Sequence, residues 1–290
     1  MDLKQLTTFR TIIQEGTFSR AAAQLHYAQS TVTNQIQRLE KELGFQLFKR
    51  GWDAELTEAG KLYAAEVDSL IAHWQHVRDQ AQQLGQEERG KLRIGIIENA
   101  CTALLPAVMK RFAKQKPGIH CELTVGNTET LTQLLLERRI DLAVCGEPHQ
   151  LDKLHFEPLY EEQIVFVVHK QHPLAQAGKL QQADLQRYPL AAGGQNCLYY
   201  VRLEKELARL KLQPFMHTIS QVSAIPALAA ATDSIGVVLG STPLATHMVQ
   251  LDFPLMEPLL AIGLLLPREP NYLPVSRRLW IDIVREEAQR

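Results

Sequence analysis

The sequence predicts an α/β protein with an all-helical N-terminal domain and a β-hairpin wing, and three observations predict it. Apolar residues recur at helical spacing in three short runs within the first 60 residues. A single long helix with a regular four-three apolar seam follows, and from Leu92 onward short apolar strands alternate with amphipathic helices. With 290 residues there is enough chain for two packed domains. An apolar content of 46% with 22% charged residues excludes disorder as the main theme.

Leu6, Phe9, Ile12 and Ile13 follow one helix face that stops at Gly16. Ser19 is placed to cap a second helix carrying Ala22, Ala23 and Leu25. A third starts near Gln29 and Ser30, with Val32, Ile36, Leu39 and Leu43 on its buried face before Gly44 ends it. Two compact helices and a polar-faced third form the pattern of a helix-turn-helix. Leu47 and Phe48 lead through Lys49, Arg50, Gly51 and Trp52 to Leu56 and Thr57, a small hairpin that closes a domain at 1–58.

Thr57 and Gly60 open a long helix, assigned to 59–87. It places Tyr63, Val67, Leu70, Trp74, Val77, Ala81 and Leu84 at steps alternating four and three. That is the a/d seam of a coiled coil, so these positions are expected to contact a partner helix. A helix packed on its own domain is the alternative, and it more often shows a broader apolar stripe.

Residues 82–91 (QQLGQEERGK) are polar and bracketed by glycine, the composition of a linker. LRIGII is then a buried strand, followed by a helix near 104–114, a strand at 120–125, a helix at 129–137 and the strand DLAVCG. A second unit begins at Ile164 with IVFVVHK. It continues through a helix near 199–210, a strand at 217–220, a helix at 225–231 and the strand IGVVL. LLAIGLLLP and a final helix over 275–287 close the chain. This alternation implies a mainly parallel sheet with helices on both faces. The domain 91–290 is expected to form two lobes, 91–161 with 266–290 and 162–265.

Thirty-one basic residues against 32 acidic ones leave a net charge of −1, so any nucleic-acid contact must be local. The four cysteines form no CxxC pair, which disfavours structural zinc and disulfide frameworks. His73 with His76 and His169 with His172 have no further ligand at zinc spacing, so no metal is expected. MDLKQLTTFR is no secretory signal and no run of about 18 apolar residues occurs, so a cytoplasmic protein without a membrane partner is expected. The missing signal also speaks against an exported solute-binding module. GxSxG, Walker and GxGxxG patterns are absent and Cys197 has no sequence-evident histidine partner, so no enzyme is expected.

The stretch FSRAAAQLHYAQSTVTNQIQRLEKELGFQLFKR, followed by LTEAG, resembles the N-terminal signature of the LysR-type transcriptional regulators. LRIGI, the LLP at Leu104 to Pro106, DLAV at Asp141 and HPLA at His172 fall in that family's order. The resemblance implies a winged helix-turn-helix, a dimerising linker helix and a two-subdomain effector domain related in fold to periplasmic solute-binding proteins. It further implies a regulator that binds double-stranded DNA as a homodimer or homotetramer. Such a regulator answers to a small-molecule effector and, if an activator, meets RNA polymerase; no cofactor is expected. The wing here reads Gly51-Trp52-Asp53-Ala54-Glu55, less basic than is usual in that family, so only Lys49 and Arg50 offer it phosphate contacts.

Gln29, Ser30, Thr31, Thr33, Asn34, Gln35 and Arg38 surround the apolar stripe of the third helix, and their side chains suit major-groove base edges. Arg50 is assigned to a phosphate. Because ligands bind at the carboxyl ends of parallel strands, an effector is expected at Asn99, Ala100, Cys101, Thr102, Thr128, Gly146, Gly194, Asn196, Cys197 and Val222. Helix N-termini there suggest a small carboxylate. Cys101, Cys145 and Cys197 at helix starts or strand ends admit two readings, a thiolate that meets a thiol-reactive species or an inert small hydrophobe.

Overall fold

The computed structural model describes residues 1–49, 54–85, 89–149, 151–268 and 273–290. Asp2 starts the first helix, α1 (Leu3–Glu15). Its carboxylate accepts from the Gln5 N–H and the Gln5 side chain accepts from the Asp2 N–H, both at 2.8 Å. Gly16 ends α1 at φ +74°, a left-handed position that a residue with a Cβ rarely adopts. Thr17, not Ser19, caps α2 (Phe18–Gln24), accepting from the Arg20 N–H at 3.2 Å. The Ser19 hydroxyl instead donates to the Gln29 side chain at 2.9 Å. α3 (Gln29–Leu43) ends at Gly44, φ +78°.

Leu6, Phe9, Ile12, Ala21, Ala22, Val32, Ile36 and Leu39 form the core of this unit with Leu47 and Phe48. The Phe48 ring meets Phe9 and Phe18 edge-on at centroid distances of 5.5 and 5.1 Å. The Glu40 carboxylate accepts from the Leu47 N–H at 2.7 Å and so fixes the chain as it leaves α3. The hairpin is present at its base, where Phe48 bridges Leu56 and the Lys49 N–H donates to the Glu55 carbonyl at 2.7 Å. Arg50, Gly51, Trp52 and Asp53 lie outside the described residues.

Thr57 accepts from the Gly60 N–H at 2.9 Å at the start of α4 (Glu58–Gly85). Its seam divides along its length. Tyr63 and Val67, joined by Ile71, turn into the domain's own core, whereas Leu70, Trp74, Val77 and Ala81 are exposed. The expected seam is one stripe of the helix, but the three-helix core covers only its first turns. The Leu84 side chain lies outside what is described.

The chain divides into one unit built on Met1–Ala81 and another on Gln82–Leu136 with Ile140–Arg290. The second opens with β1 (Gly90–Ile96), α5 (Glu98–Ala103), α6 (Leu105–Gln115), β2 (Ile119–Val125), α7 (Thr128–Leu136) and β3 (Leu142–Gly146). The helix expected near 104–114 is α6, with Pro106 in its first turn, and the short α5 precedes it. β4 (Leu154–His169), α8 (Gln182–Arg187), β5 (Leu190–Gly193), α9 (Tyr200–Arg209) and β6 (Met216–Ile219) follow. A 3₁₀ turn at Val222–Ala224, α10 (Ile225–Ala231), β7 (Ile235–Leu239), β8 (Met248–Leu251), β9 (Leu259–Pro267) and α11 (Val275–Ala288) complete the unit.

The strands run β2-β1-β3-β9-β4-β7-β5-β6, with β8 also on β4. β1 is parallel to β2 and β3, and β5 to β6 and β7, as the alternation requires. The mainly parallel sheet expected from sequence is corrected by two long connectors. β9 runs antiparallel to β3 and β4, and β4 antiparallel to β7 and β8. β4 pairs with β9 up to Gln163 and with β7 from Ile164, so it crosses from one lobe to the other. β9 returns: Leu260 packs in the second lobe's core, but Ile262, Leu264 and Leu265 pack in the first. The return therefore falls before residue 266. Asp141 and Arg277, both nearly buried, form an ion pair at 3.0 Å that ties β3 to α11, and Asp141 also accepts from the Arg93 N–H at 2.8 Å.

Candidate functional site

The buried stripe of α3, Val32, Ile36 and Leu39, leaves an opposite face of polar side chains. Ser30, Thr31, Asn34 and Arg38 are exposed there, and so is Gln37, which sequence reasoning passed over although it lies seven residues from Ser30 and three from Asn34. Gln29 flanks this face and holds Ser19 across the turn. Thr33 is half-buried, its hydroxyl donating to the Gln29 carbonyl at 3.0 Å. Gln35 is half-buried and its Oε1 accepts from the Thr8 hydroxyl of α1, which is 1% exposed, so it joins two helices. Arg50 cannot be placed, since it is outside the described residues.

In the second unit a cleft of about 650 Å³ opens between the lobes. The first lobe contributes Ile97, Glu98 and Asn99 after β1, and Val125 to Thr128 from the end of β2 onward. The second contributes Gly194 to Tyr199 after β5, Thr218 to Val222 from the end of β6 onward, and Leu239 at the end of β7. These are the carboxyl ends of parallel strands, where helices begin and the sheet leaves a crevice.

Among the described residues two hydrogen-bonded contacts join the lobes at this mouth. Glu98 Oε2 accepts from the Val222 N–H at 3.0 Å. Asn99 Nδ2 donates to Ser241 Oγ at 3.2 Å and Thr242 Oγ1 at 2.9 Å. Leu198 lies directly over Gly146, where an added Cβ would collide with its side chain. The Gly146 N–H donates to Thr128 Oγ1 at 3.1 Å.

Asn99, Thr128, Gly194, Asn196, Cys197 and Val222 are thus brought together in one cleft. Ala100 is not: it is fully buried in the first core, because the second residue past Glu98 turns inward on α5. Cys101 packs against that same core, and Thr102 is exposed with its hydroxyl donating to the Asn99 carbonyl at 3.0 Å. Gly146 serves the lobe contact rather than the lining. Asn127 and Thr218 were missed from sequence. The first sits beside a chosen residue, and the second needed the end of β6 to be located.

Of the two readings of the cysteines, the surroundings of Cys145 and Cys197 favour the inert small hydrophobe. Cys145 is fully buried inside β3, and burial pushes its thiol up to about 12. Burial also raises Cys197, which sits over Gly193 beside the Tyr199 hydroxyl. Tyr199, pushed well up by burial, accepts from the Gly193 N–H at 2.9 Å and donates to the Val237 carbonyl. Both cysteines are therefore held as thiols, the opposite of what a helix N-terminus would do to a reactive one.

Two family models cover nearly the whole chain: "Bacterial regulatory helix-turn-helix protein, lysR family" matches residues 3–61 and "LysR substrate binding domain" residues 85–289. This chain belongs to the LysR family. LysR proteins join a DNA-binding helix-turn-helix to a substrate-binding effector domain, and the chain is a DNA-binding transcriptional regulator of that kind. The HTH-type transcriptional regulator YtlI of Bacillus subtilis is 32% identical over 209 residues, 72% of this chain and 68% of that protein. A second Bacillus subtilis regulator, YwqM, is 32% identical over 82% of each chain. The crystal structure of CbnR, a LysR family transcriptional regulator, covers 100% of both chains at 19% identity with a TM-score of 0.77, a likeness of fold. CbnR has also been solved with its target DNA, and the effector binding domain of QuiR with shikimate; the latter covers 69% of this chain and 98% of QuiR at 18% identity, TM-score 0.61. Among the described residues no helix is long and apolar enough to cross a membrane.

Proposed function

We propose that this LysR-family chain regulates transcription by reading an operator with the exposed face of α3 while a small molecule in the interlobe cleft sets its activity. Ser30, Asn34, Gln37 and Arg38 supply groove-reading groups, with Arg38 suited to guanine and Asn34 to adenine. Leu70, Trp74, Val77 and Ala81 on α4 are the surface on which a second copy packs, giving a homodimer or a homotetramer of two such pairs. Two copies of α3 then meet DNA about one helical turn apart. If the protein activates, RNA polymerase is the partner that reads the result.

The observation that carries this reading is the cleft, whose lining comes from both lobes and whose mouth is bridged by Glu98 and Asn99. A ligand touching both lobes favours one lobe arrangement over another, and only such a difference in affinity shifts the equilibrium. Only β4 and β9 among the described strands pass between the lobes, so they are the elements that bend. The test is capture of genomic DNA fragments by the purified protein at fixed salt, repeated with Gln29→Ala and Arg38→Ala. Fragments sharing an interrupted dyad and lost with Arg38→Ala support the reading. Weak, salt-sensitive retention indifferent to both substitutions contradicts it.

A further inference from the structure

The charge pattern of the cleft names a ligand class, an inference that rests on the effector reading above. Among the described lining residues Glu98 is the one acidic side chain, and no lysine, arginine or histidine lines the cleft. Glu98 Oε2 takes one N–H, from Val222 at 3.0 Å, and no ion pair to a basic side chain accompanies it among the described residues. A carboxylate has room for further donors on its second oxygen. Behind Asn99 a second carboxyl, Glu162, is 5% exposed and accepts from the Ser241 N–H at 3.2 Å, also without a basic partner among the described residues. Ser241 in turn receives Asn99 Nδ2 at 3.2 Å, so Glu162 stands immediately behind the lining.

The remaining polar groups are carboxamides and hydroxyls: Asn127, Gln195, Asn196 and Gln221, with Thr128 and Thr218. These serve donors and acceptors alike and carry no charge. α5 spans six residues, too short for its dipole to neutralise an anion in place of a cationic side chain, and at the start of α7 Asn127 Oδ1 already takes the Thr130 N–H at 2.8 Å. A ligand carboxylate would enter a partly desolvated cleft facing like charge without a counter-ion, the arrangement that binding sites for anions avoid. The small carboxylate suggested by the helix N-termini is therefore disfavoured.

We propose that the cleft takes a small cation, an amine or guanidine, whose charged nitrogen donates to Glu98 while its body lies along the carboxamides. Because Glu98 also receives the Val222 N–H from the opposite lobe, a cation seated there touches the contact that joins the lobes.

The experiment is isothermal titration and thermal melting of the full-length protein with two matched probe sets. The first is 1,4-diaminobutane, agmatine and arginine methyl ester; the second is succinate, glutarate and benzoate. At least one amine or guanidine of the first set is expected to bind, with affinity falling at least tenfold in Glu98→Gln, a substitution that keeps an acceptor for the Val222 N–H. Gln195→Lys, which adds a cation to the cleft at an exposed lining position, is expected to weaken the first set and admit the second. This variant keeps the test decisive if Glu98→Gln melts below the parent. Binding of carboxylates alone, undiminished in Glu98→Gln, overturns the charge assignment and leaves the effector reading intact. Binding of neither set overturns both.

Discussion

Arg38 and Gln35 sit three residues apart on α3, yet they answer to different forces. Arg38 is exposed beside Asn34, whereas Gln35 holds the Thr8 hydroxyl of α1. Arg38→Ala or Asn34→Ala is expected to lower affinity for a captured operator by ~1–3 kcal/mol while leaving non-specific binding nearly unchanged, read by fluorescence anisotropy at fixed salt. Gln35→Ala leaves the buried Thr8 hydroxyl without its acceptor and is expected to cost about 1–3 kcal/mol of folding stability instead. The sequence could not separate these two, because the Thr8 partner is 27 residues away and helical spacing alone assigns Gln35 to the polar flank. Asp141 lies in a second hidden pairing. Asp141→Ala strands the buried guanidinium of Arg277 and is expected to remove ~3–5 kcal/mol in a denaturant titration, since losing one partner of a buried pair leaves its charge uncompensated. An unchanged midpoint would show that the pair contributes nothing net.

At the scale of elements, what was legible tracks how local the signal is. Gly16 and Gly44 end their helices as their left-handed backbone requires, and the buried strands LRIGII and IGVVL stand where their apolar runs put them. The first half of β4 was not legible: His155 to Gln163 is largely polar and contains Pro158, and a register shift falls between Pro158 and Tyr160. It is a strand because β9 pairs along its whole length, a long-range fact. The cleft is bounded by the same long-range packing, which explains why Ala100 and Gly146 looked like ligand contacts from sequence. Gly146→Val forces Leu198 away from the first lobe. It is expected to lower the melting temperature and to weaken any ligand that needs both lobes, whereas Gly194→Ala, with open space at its Cβ, should leave melting nearly unchanged. Equal melting of the two variants would remove Leu198 from the lobe contact.

For the whole molecule, two properties follow from charge and surface. Glu206 is held below the usual carboxylate range by hydrogen bonding to Arg209, helped by the Met256 N–H, and Glu157 by hydrogen bonding to Arg285. A folded value below the unfolded one means that the stabilisation is complete above the ordinary carboxylate value of 4.5 and is lost as pH falls through the lowered folded values. Melting is therefore expected to change little from these groups near neutral pH and to drop below about pH 4.5, with Glu206→Gln shallower on that limb. The exposed apolar run on α4 is the other property: Leu70, Trp74 and Val77 are each more than two-fifths exposed in the single chain. Trp74→Glu with Val77→Glu is expected to shift the sedimentation coefficient toward a monomer. The most direct measurement is hydroxyl-radical footprinting of a captured operator by the parent, the α4 double variant and Arg38→Ala. Paired copies of α3 predict two protected patches about one helical turn apart for the parent, with both lost or much weakened in either variant. A single patch, retained by the double variant and by Arg38→Ala, would contradict paired reading of DNA by α3.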